Sequence, residues 1–121
     1  MLINNIVQQG DRKKIHSVST YTSPLSAISN GSPIYFNHGF ESLSINRGFV
    51  CTVYLVNVEA NEGYEPGEIV TPSAGISIGL SELEFVVRPA SNGVFVVEKN
   101  KGKSEKIKPE KWNLFISAIL L

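Results

Sequence analysis

Residue types on which most enzyme active sites depend are scarce in this 121-residue chain. It has one cysteine (Cys51), one aspartate (Asp11) and two histidines (His16 and His38). A single cysteine excludes an intrachain disulfide framework and any metal site built on several cysteines. Nucleophilic catalysis needs a base and usually a group that orients it, and both are scarce here. The sequence therefore predicts that the protein is not an enzyme and uses no metal or cofactor.

Net charge and long apolar runs are also lacking. Eleven basic residues balance eleven acidic ones, so the net charge gives no indication of a nucleic-acid partner. The chain has no run of 18 apolar residues, and its first segment has no cationic start followed by an apolar stretch. We therefore expect no nucleic-acid partner, no membrane insertion and no signal peptide.

Branched aliphatic residues are abundant, with twelve Val and twelve Ile, and these side chains favour strands. Ten Gly and six Pro are spread along the chain and leave few windows for a long helix. The sequence predicts an all-β, antiparallel β-sandwich of six or more short strands, formed by residues 1–121 as a single domain. Residues 1–14 are compatible with an N-terminal arm or with a short helix.

The most apolar window, residues 49–58, carries apolar residues on both alternating faces. This pattern is typical of a strand at the centre of a sandwich or sheltered at an interface. We expect Val53, Leu55 and Val56 to be among the most buried positions. Residues 84–88 and 94–97 flank a Pro-Ala-Ser-Asn-Gly segment and are predicted to form a β-hairpin. Further short strands are predicted at 15–21, 34–37, 68–71, 75–79, 106–108 and 111–119.

Charged residues are segregated along the chain although they sum to zero. Residues 59–84 contain six Glu and no Lys or Arg, and residues 98–111 contain six Lys and three Glu. Two solvated loop regions explain this pattern simply. Head-to-tail complementarity between identical subunits is the alternative.

Several residues are candidates for contact with a sugar. Aromatic rings stack on sugars, and abundant Asn and Ser side chains can hydrogen-bond to them. The candidate aromatic residues are Tyr21, Tyr35, Tyr54, Tyr64 and Trp112. Packing competes with binding, because Trp112 opens an apolar strand and Tyr64 lies in a Gly-Tyr-Glu-Pro-Gly turn. Arg47 and Arg88 are candidates either for a salt bridge with a Glu or for contact with an acidic sugar.

Four motifs follow one another in a recognisable order between residues 33 and 119. His38-Gly39-Phe40 follows a predicted strand, and Glu62-Gly-Tyr-Glu-Pro-Gly-Glu-Ile-Val70 follows the long apolar strand. The turn Asn100-Lys-Gly-Lys103 comes next, followed by Ile107-Lys-Pro-Glu-Lys-Trp-Asn-Leu114. This order resembles the C-terminal β-domains of tailed-phage and prophage tail-fibre or head-fibre proteins. It departs from their usual pattern at Phe40, where they have Leu, and at Gly102, which comes two positions early.

The resemblance implies a virion structural protein, usually a homotrimer, located in the phage particle or a prophage-encoded tail. Its expected partners are copies of itself and either a bacterial surface glycan or another virion protein. The chain is also distantly similar to the H-type lectins, so a stand-alone sugar-binding module is the alternative function. Tyr64, Arg47, Arg88 and Trp112 are the candidate ligand-binding residues.

Overall fold

Nearly all regular structure in the computed structural model, which describes residues 19–40 and 48–121, is β-strand. This confirms the predicted all-β class. A 3₁₀ turn at Pro109–Lys111 leads into the last strand. The strands are β1 (Ser19–Thr22), β2 (Ser26–Ala27), β3 (Ile34–Asn37), β4 (Phe49–Asn57), β5 (Ile69–Val70), β6 (Ile76–Leu80), β7 (Glu84–Pro89), β8 (Phe95–Val97), β9 (Ser104–Lys106) and β10 (Trp112–Leu120).

Two antiparallel sheets form the sandwich. The larger has the strand order β1-β10-β4-β5, with β2 also paired to β10, and the smaller has the order β3-β7-β6. Strand β10 pairs with β4 over the full length of both strands, from Trp112 opposite Asn57 to Leu120 opposite Phe49. Strands β8 and β9 form a separate two-stranded ribbon. Long strands at the centre of the larger sheet thus provide the continuous surface on which the core is built.

The core lies between the two sheets and follows the two-residue period of the strands. On β4, Val53 and Leu55 are buried, and on β7, Phe85 and Val87 are fully buried. The Phe85 ring lies 5.8 Å from the ring of Phe49, which joins the sheets by an aromatic contact. The predicted burial of Val53 and Leu55 is confirmed. The same prediction for Val56 is wrong, because Val56 is half-buried on the opposite face of β4.

The predicted hairpin between residues 84–88 and 94–97 is also wrong. Strand β7 pairs with β3 on one side and with β6 on the other, so it has no free side for β8. Val94 is fully buried, and its carbonyl accepts a hydrogen bond from the N–H of Ile107. The Asn92-Gly93 turn therefore carries the chain out of the three-stranded sheet into the β8–β9 ribbon.

The first edge of the larger sheet is an interrupted strand. Strands β1 and β2 pair with successive parts of β10, and Ser23 lies between them. The Ser23 N–H donates to the carbonyl of Ile116, and the Ile116 N–H donates to Ser23 Oγ at 2.8 Å. A buried side chain thus takes over one ladder hydrogen bond. The predicted strand at 15–21 is observed only in part, because residues 15–18 lie outside the described residues, as do residues 1–14.

Candidate functional site

Trp112 is a core residue, only 1% exposed at the start of β10. Its indole Nε1 donates a hydrogen bond to Asn61 Oδ1 at 3.0 Å. The same Asn61 oxygen accepts the backbone N–H of Lys108 at 3.2 Å. Trp112 therefore fastens the 61–64 turn to the larger sheet, and its buried ring offers no face to a ligand. In the structure Trp112 is thus a packing residue, which was the alternative to sugar binding.

Tyr64 is half-buried and packs edge-on against the ring of Trp112, with 5.7 Å between the ring centroids. Its hydroxyl donates a hydrogen bond to the carbonyl of Val97 at 2.6 Å. The ammonium group of Lys99 lies 5.9 Å from the centre of its ring. The ring thus joins the Gly-Tyr-Glu-Pro-Gly turn to the β8–β9 ribbon, and its polar group already has a partner.

The acidic and the lysine-rich segments meet within one chain. Lys99 Nζ lies 2.7 Å from Glu68 Oε2, and Lys111 Nζ lies 3.2 Å from Glu59 Oε2. The hydrogen bond from Lys99, followed by one from the Glu65 backbone, lowers the pKa of Glu68. These two contacts need no second subunit. If identical subunits attract one another head to tail through opposite charges, they use charged residues other than these two pairs.

His38 directly follows β3, and both nitrogens of its ring form hydrogen bonds. Its Nδ1 accepts the Phe40 N–H at 3.0 Å, so the proton of the neutral ring lies on Nε2, which donates to the Ser81 carbonyl at 3.1 Å. The ring is 6% exposed and stacks on the ring of Phe40 at 4.7 Å. Both ring nitrogens are therefore occupied by backbone groups, which gives His38 a structural role.

Cys51 lies half-buried on β4, opposite Ala118 of β10. Burial raises the pKa of its thiol to about 11, so the nucleophilic thiolate is strongly disfavoured near neutral pH. Within residues 19–40 and 48–121, no group of three or more His, Cys, Asp or Glu side chains is placed to hold a metal ion.

Of the two candidate arginines, Arg47 lies outside the described residues. Arg88 is exposed on β7 and has no ion pair with another residue that the structure describes. Its pairing with a glutamate is therefore not observed in this part of the chain. Because β7 residues alternate between the core and the opposite face, Arg88 lies on the outer face of the three-stranded sheet, on the same side as Val86.

The outer face of the larger sheet combines apolar residues with uncharged polar ones. We call it the β4–β10 outer face; its residues on those two strands and on β5 are Val50, Thr52, Tyr54, Val56, Ile69, Asn113, Phe115, Ser117 and Ile119. Among the described strand residues on this face, none is charged. Val50 and Ile69 are each 54% exposed and Ile119 is 40% exposed. The rings of Tyr54 and Phe115 stack at 5.0 Å in its centre.

The sequence predicts part of this face. The apolar residues on both sides of 49–58 indicated either a central strand or one sheltered at an interface. The smaller sheet covers one side of β4. On the other side Val50 is 54% exposed, and Thr52, Tyr54 and Val56 are half-buried. The same alternation in 112–120 places Phe115 and Ile119 beside the outward residues of β4.

In the described part of the chain, no helix is long and apolar enough to span a membrane. No protein-family model, curated protein or solved structure matches this chain.

Proposed function

We propose that this protein is a structural, non-catalytic binding domain of the phage-fibre type, which forms a homotrimer through its β4–β10 outer face. In the assembled particle it attaches to a bacterial surface glycan or to another virion protein. The order of the four motifs supports this proposal. Three of them place residues in turns and packing contacts: Phe40 beside His38, Tyr64 against Trp112, and Trp112 on Asn61.

The single observation that carries the proposal is the uncharged, partly aromatic surface of the β4–β10 outer face. Val50 and Ile119 are opposite one another on neighbouring strands, and both are exposed. Burying such side chains stabilises a complex by about 25 cal/mol per Å² of apolar area removed from water. A face of this composition is therefore better suited to protein–protein association than to solvent.

The size of this face is compatible with an interface. Nine residues of β10 at ~3.3 Å each give a length of about 30 Å. The three strands of this face, spaced about 4.8 Å apart, give a width of about 10 Å, and hence a footprint of about 300 Å². Patches of about 300–600 Å² on monomers often have a binding function.

A stand-alone sugar-binding module is the second candidate function. The outer face of the smaller sheet favours this function, because Tyr35 and Arg88 both lie on it. Tyr35 is exposed, and Arg88 has no ion pair with a described residue. The two functions are compatible, since the two faces lie on opposite sides of the sandwich.

The mass of the purified protein at micromolar concentration, measured by sedimentation equilibrium, tests the proposed assembly. We expect a mass about three times that of the 13.2 kDa chain, as for a closed ring of three subunits. A mass near 13.2 kDa at all concentrations up to about 100 µM, well above the micromolar Kd of ordinary specific complexes, would contradict the proposal.

A further inference from the structure

The outer face of the three-stranded sheet differs in chemistry from the β4–β10 outer face. Its strand residues include an exposed aromatic ring, an arginine, a glutamate and two small polar side chains. We call it the Tyr35–Arg88 face; it consists of Tyr35, Asn37, Ser77, Gly79, Glu84, Val86 and Arg88. The backbone of its central strand, β7, is hydrogen-bonded on both sides, so binding here has to come from side chains.

A glycine in the middle of this face makes room for the arginine. A Cβ added at Gly79 would lie 3.3 Å from Arg88 Nη1 and 3.0 Å from Val86 Cγ1. The guanidinium group therefore lies over the backbone of β6 and points back toward Val86. Gly79 is not among the residues with positive φ, so the backbone does not require glycine at this position. What its missing side chain provides is space for the guanidinium group.

Tyr35 lies on the other side of Val86. The two residues are directly opposite each other on β3 and β7, and Tyr35 is 59% exposed. Val86 is only 9% exposed although it belongs to this outer face. The row Gly79–Val86–Tyr35 crosses two strand spacings, so the backbone of Gly79, beside which the guanidinium group lies, is about 10 Å from the backbone of Tyr35.

Polar groups border this row. Asn37 and Glu84 form a directly opposed pair at one end, and Ser77 is opposite Arg88 at the other. Glu84 and Arg88 are four residues apart on β7, which separates their backbones by about 13 Å. Neither side chain forms an ion pair with a residue that the structure describes. Among the described residues, no carboxylate is therefore paired with the positive charge of Arg88.

We propose that the Tyr35–Arg88 face binds an acidic carbohydrate, with a sugar carboxylate on Arg88 and the apolar face of a sugar ring on Tyr35. A guanidinium group matches a carboxylate with two parallel hydrogen bonds. The tyrosine ring supplies a rigid apolar surface for sugar C–H groups, while Asn37 and Glu84 supply a donor and an acceptor for hydroxyls. This inference rests on the proposed function, for which it specifies the chemical class of the glycan.

A peptide partner fits this face less well. Extended peptides bind by adding a strand to a free sheet edge, and helices bind in apolar grooves. The Tyr35–Arg88 face is centred on a strand with neighbours on both sides, and its aromatic and cationic groups are single and separate. A small, rigid ring with one negative charge makes use of both groups at once.

Binding is tested with the full chain on an array of carboxylated oligosaccharides that carry uronic or sialic acids, each beside its carboxyl-reduced counterpart. We expect at least one carboxylated glycan to bind, and its reduced form to bind at least about tenfold more weakly, as for loss of a charge-assisted hydrogen bond. Arg88→Met and Tyr35→Ala are each expected to weaken that binding by at least about tenfold. Gly79→Ala is expected to weaken it too, because the new methyl group displaces the guanidinium group. Lys103→Met, which removes an exposed cation at another place, is the matched control and is expected to have no effect.

Three results would overturn the inference: no binding to any carboxylated glycan, equal binding to the reduced forms, or binding that survives both Arg88→Met and Tyr35→Ala. Capture of an acidic peptide with loss on Arg88→Met, but of no glycan, would assign the face to a protein partner instead. The mass of the same samples separates this inference from the assembly proposal. A trimer that binds no glycan contradicts only the site, and a monomer that binds an acidic glycan contradicts only the assembly.

Discussion

The buried indole N–H of Trp112 has one hydrogen-bond acceptor, the side-chain oxygen of Asn61, 51 residues earlier in the chain. Asn61 in turn exchanges backbone hydrogen bonds with Tyr64. This arrangement gives a physical reason for the pairing of a Gly-Tyr turn with a later tryptophan. The turn carries the acceptor that the tryptophan needs once it is buried.

Replacing Asn61 is expected to destabilise the fold. In Asn61→Ala the buried Trp112 N–H loses its acceptor, and an unsatisfied buried donor costs about 1–3 kcal/mol. Urea denaturation gives the free energy of unfolding. Asn100→Ala, at an exposed asparagine, is the matched control and is expected to change it by less than about 0.5 kcal/mol. Equal effects of the two substitutions would show that the Trp112 hydrogen bond contributes nothing.

Leu55 is the central core residue of β4 and is fully buried. The substitution Leu55→Ala removes buried methyl groups and leaves a cavity, which together cost about 2–5 kcal/mol. Val97→Ala, at a strand position that is 47% exposed, serves as the comparison and is expected to cost far less. The free energies of unfolding of both variants check this, and a loss below about 0.5 kcal/mol for Leu55→Ala, the size of a surface substitution, contradicts it.

Position 75 requires glycine because the backbone of Gly93 lies very close to it. A Cβ at this position would lie 2.2 Å from the carbonyl oxygen of Gly93, and its φ is +92°. Gly67 has nearly the same φ, +93°, but a Cβ there would meet nothing within 4 Å. Gly67→Ala thus measures the backbone strain alone, about 1–2 kcal/mol. Gly75→Ala adds a clash and is expected to cost several kcal/mol or to prevent folding. Equal thermal stability of the two variants would contradict the close approach.

Cys51 is expected to react slowly with thiol reagents. Because burial raises its pKa to about 11, the native thiol stays protonated at pH 8, whereas the thiol of the unfolded chain is partly ionised there. As pH rises from about 9 to 11, this group favours the unfolded chain and lowers stability. Labelling by a bulky disulfide reagent at pH 8, with and without urea, measures the protection. A surface thiol in Cys51→Ala/Val97→Cys is the control, and equally fast labelling of native Cys51 contradicts the prediction.

The sequence predicted strand positions well because strand patterns are local. Strand β3 was predicted at 34–37 and is observed there, β4 ends one residue earlier than predicted, and β10 begins and ends one residue later. The strand predicted at 106–108 is observed two residues earlier, at Ser104–Lys106. Strand pairing is not local. The Asn92-Gly93 turn had the residues of a hairpin, but both sides of β7 are taken by β3 and β6, strands that come earlier in the chain.

The candidate binding residues were harder to predict for a related reason. Trp112 and Tyr64 are residue types suited to a sugar site. Their polar atoms, however, form hydrogen bonds within the chain, to Asn61 and Val97 respectively. Arg88 was identified from the sequence, but its neighbours Gly79 and Tyr35 are brought beside it only by the register of β3, β7 and β6. A single sequence does not reveal that register.

The most direct test of the central claim, assembly through the β4–β10 outer face, compares the masses of two lysine variants by light scattering at micromolar concentration. Ile119→Lys places a charge on that face, and Val97→Lys places one at a similarly exposed strand position elsewhere. We predict that the wild-type chain and Val97→Lys have about three times the 13.2 kDa chain mass, and that Ile119→Lys is a folded monomer. A wild-type monomer, or an Ile119→Lys variant that keeps the wild-type mass, would contradict the account.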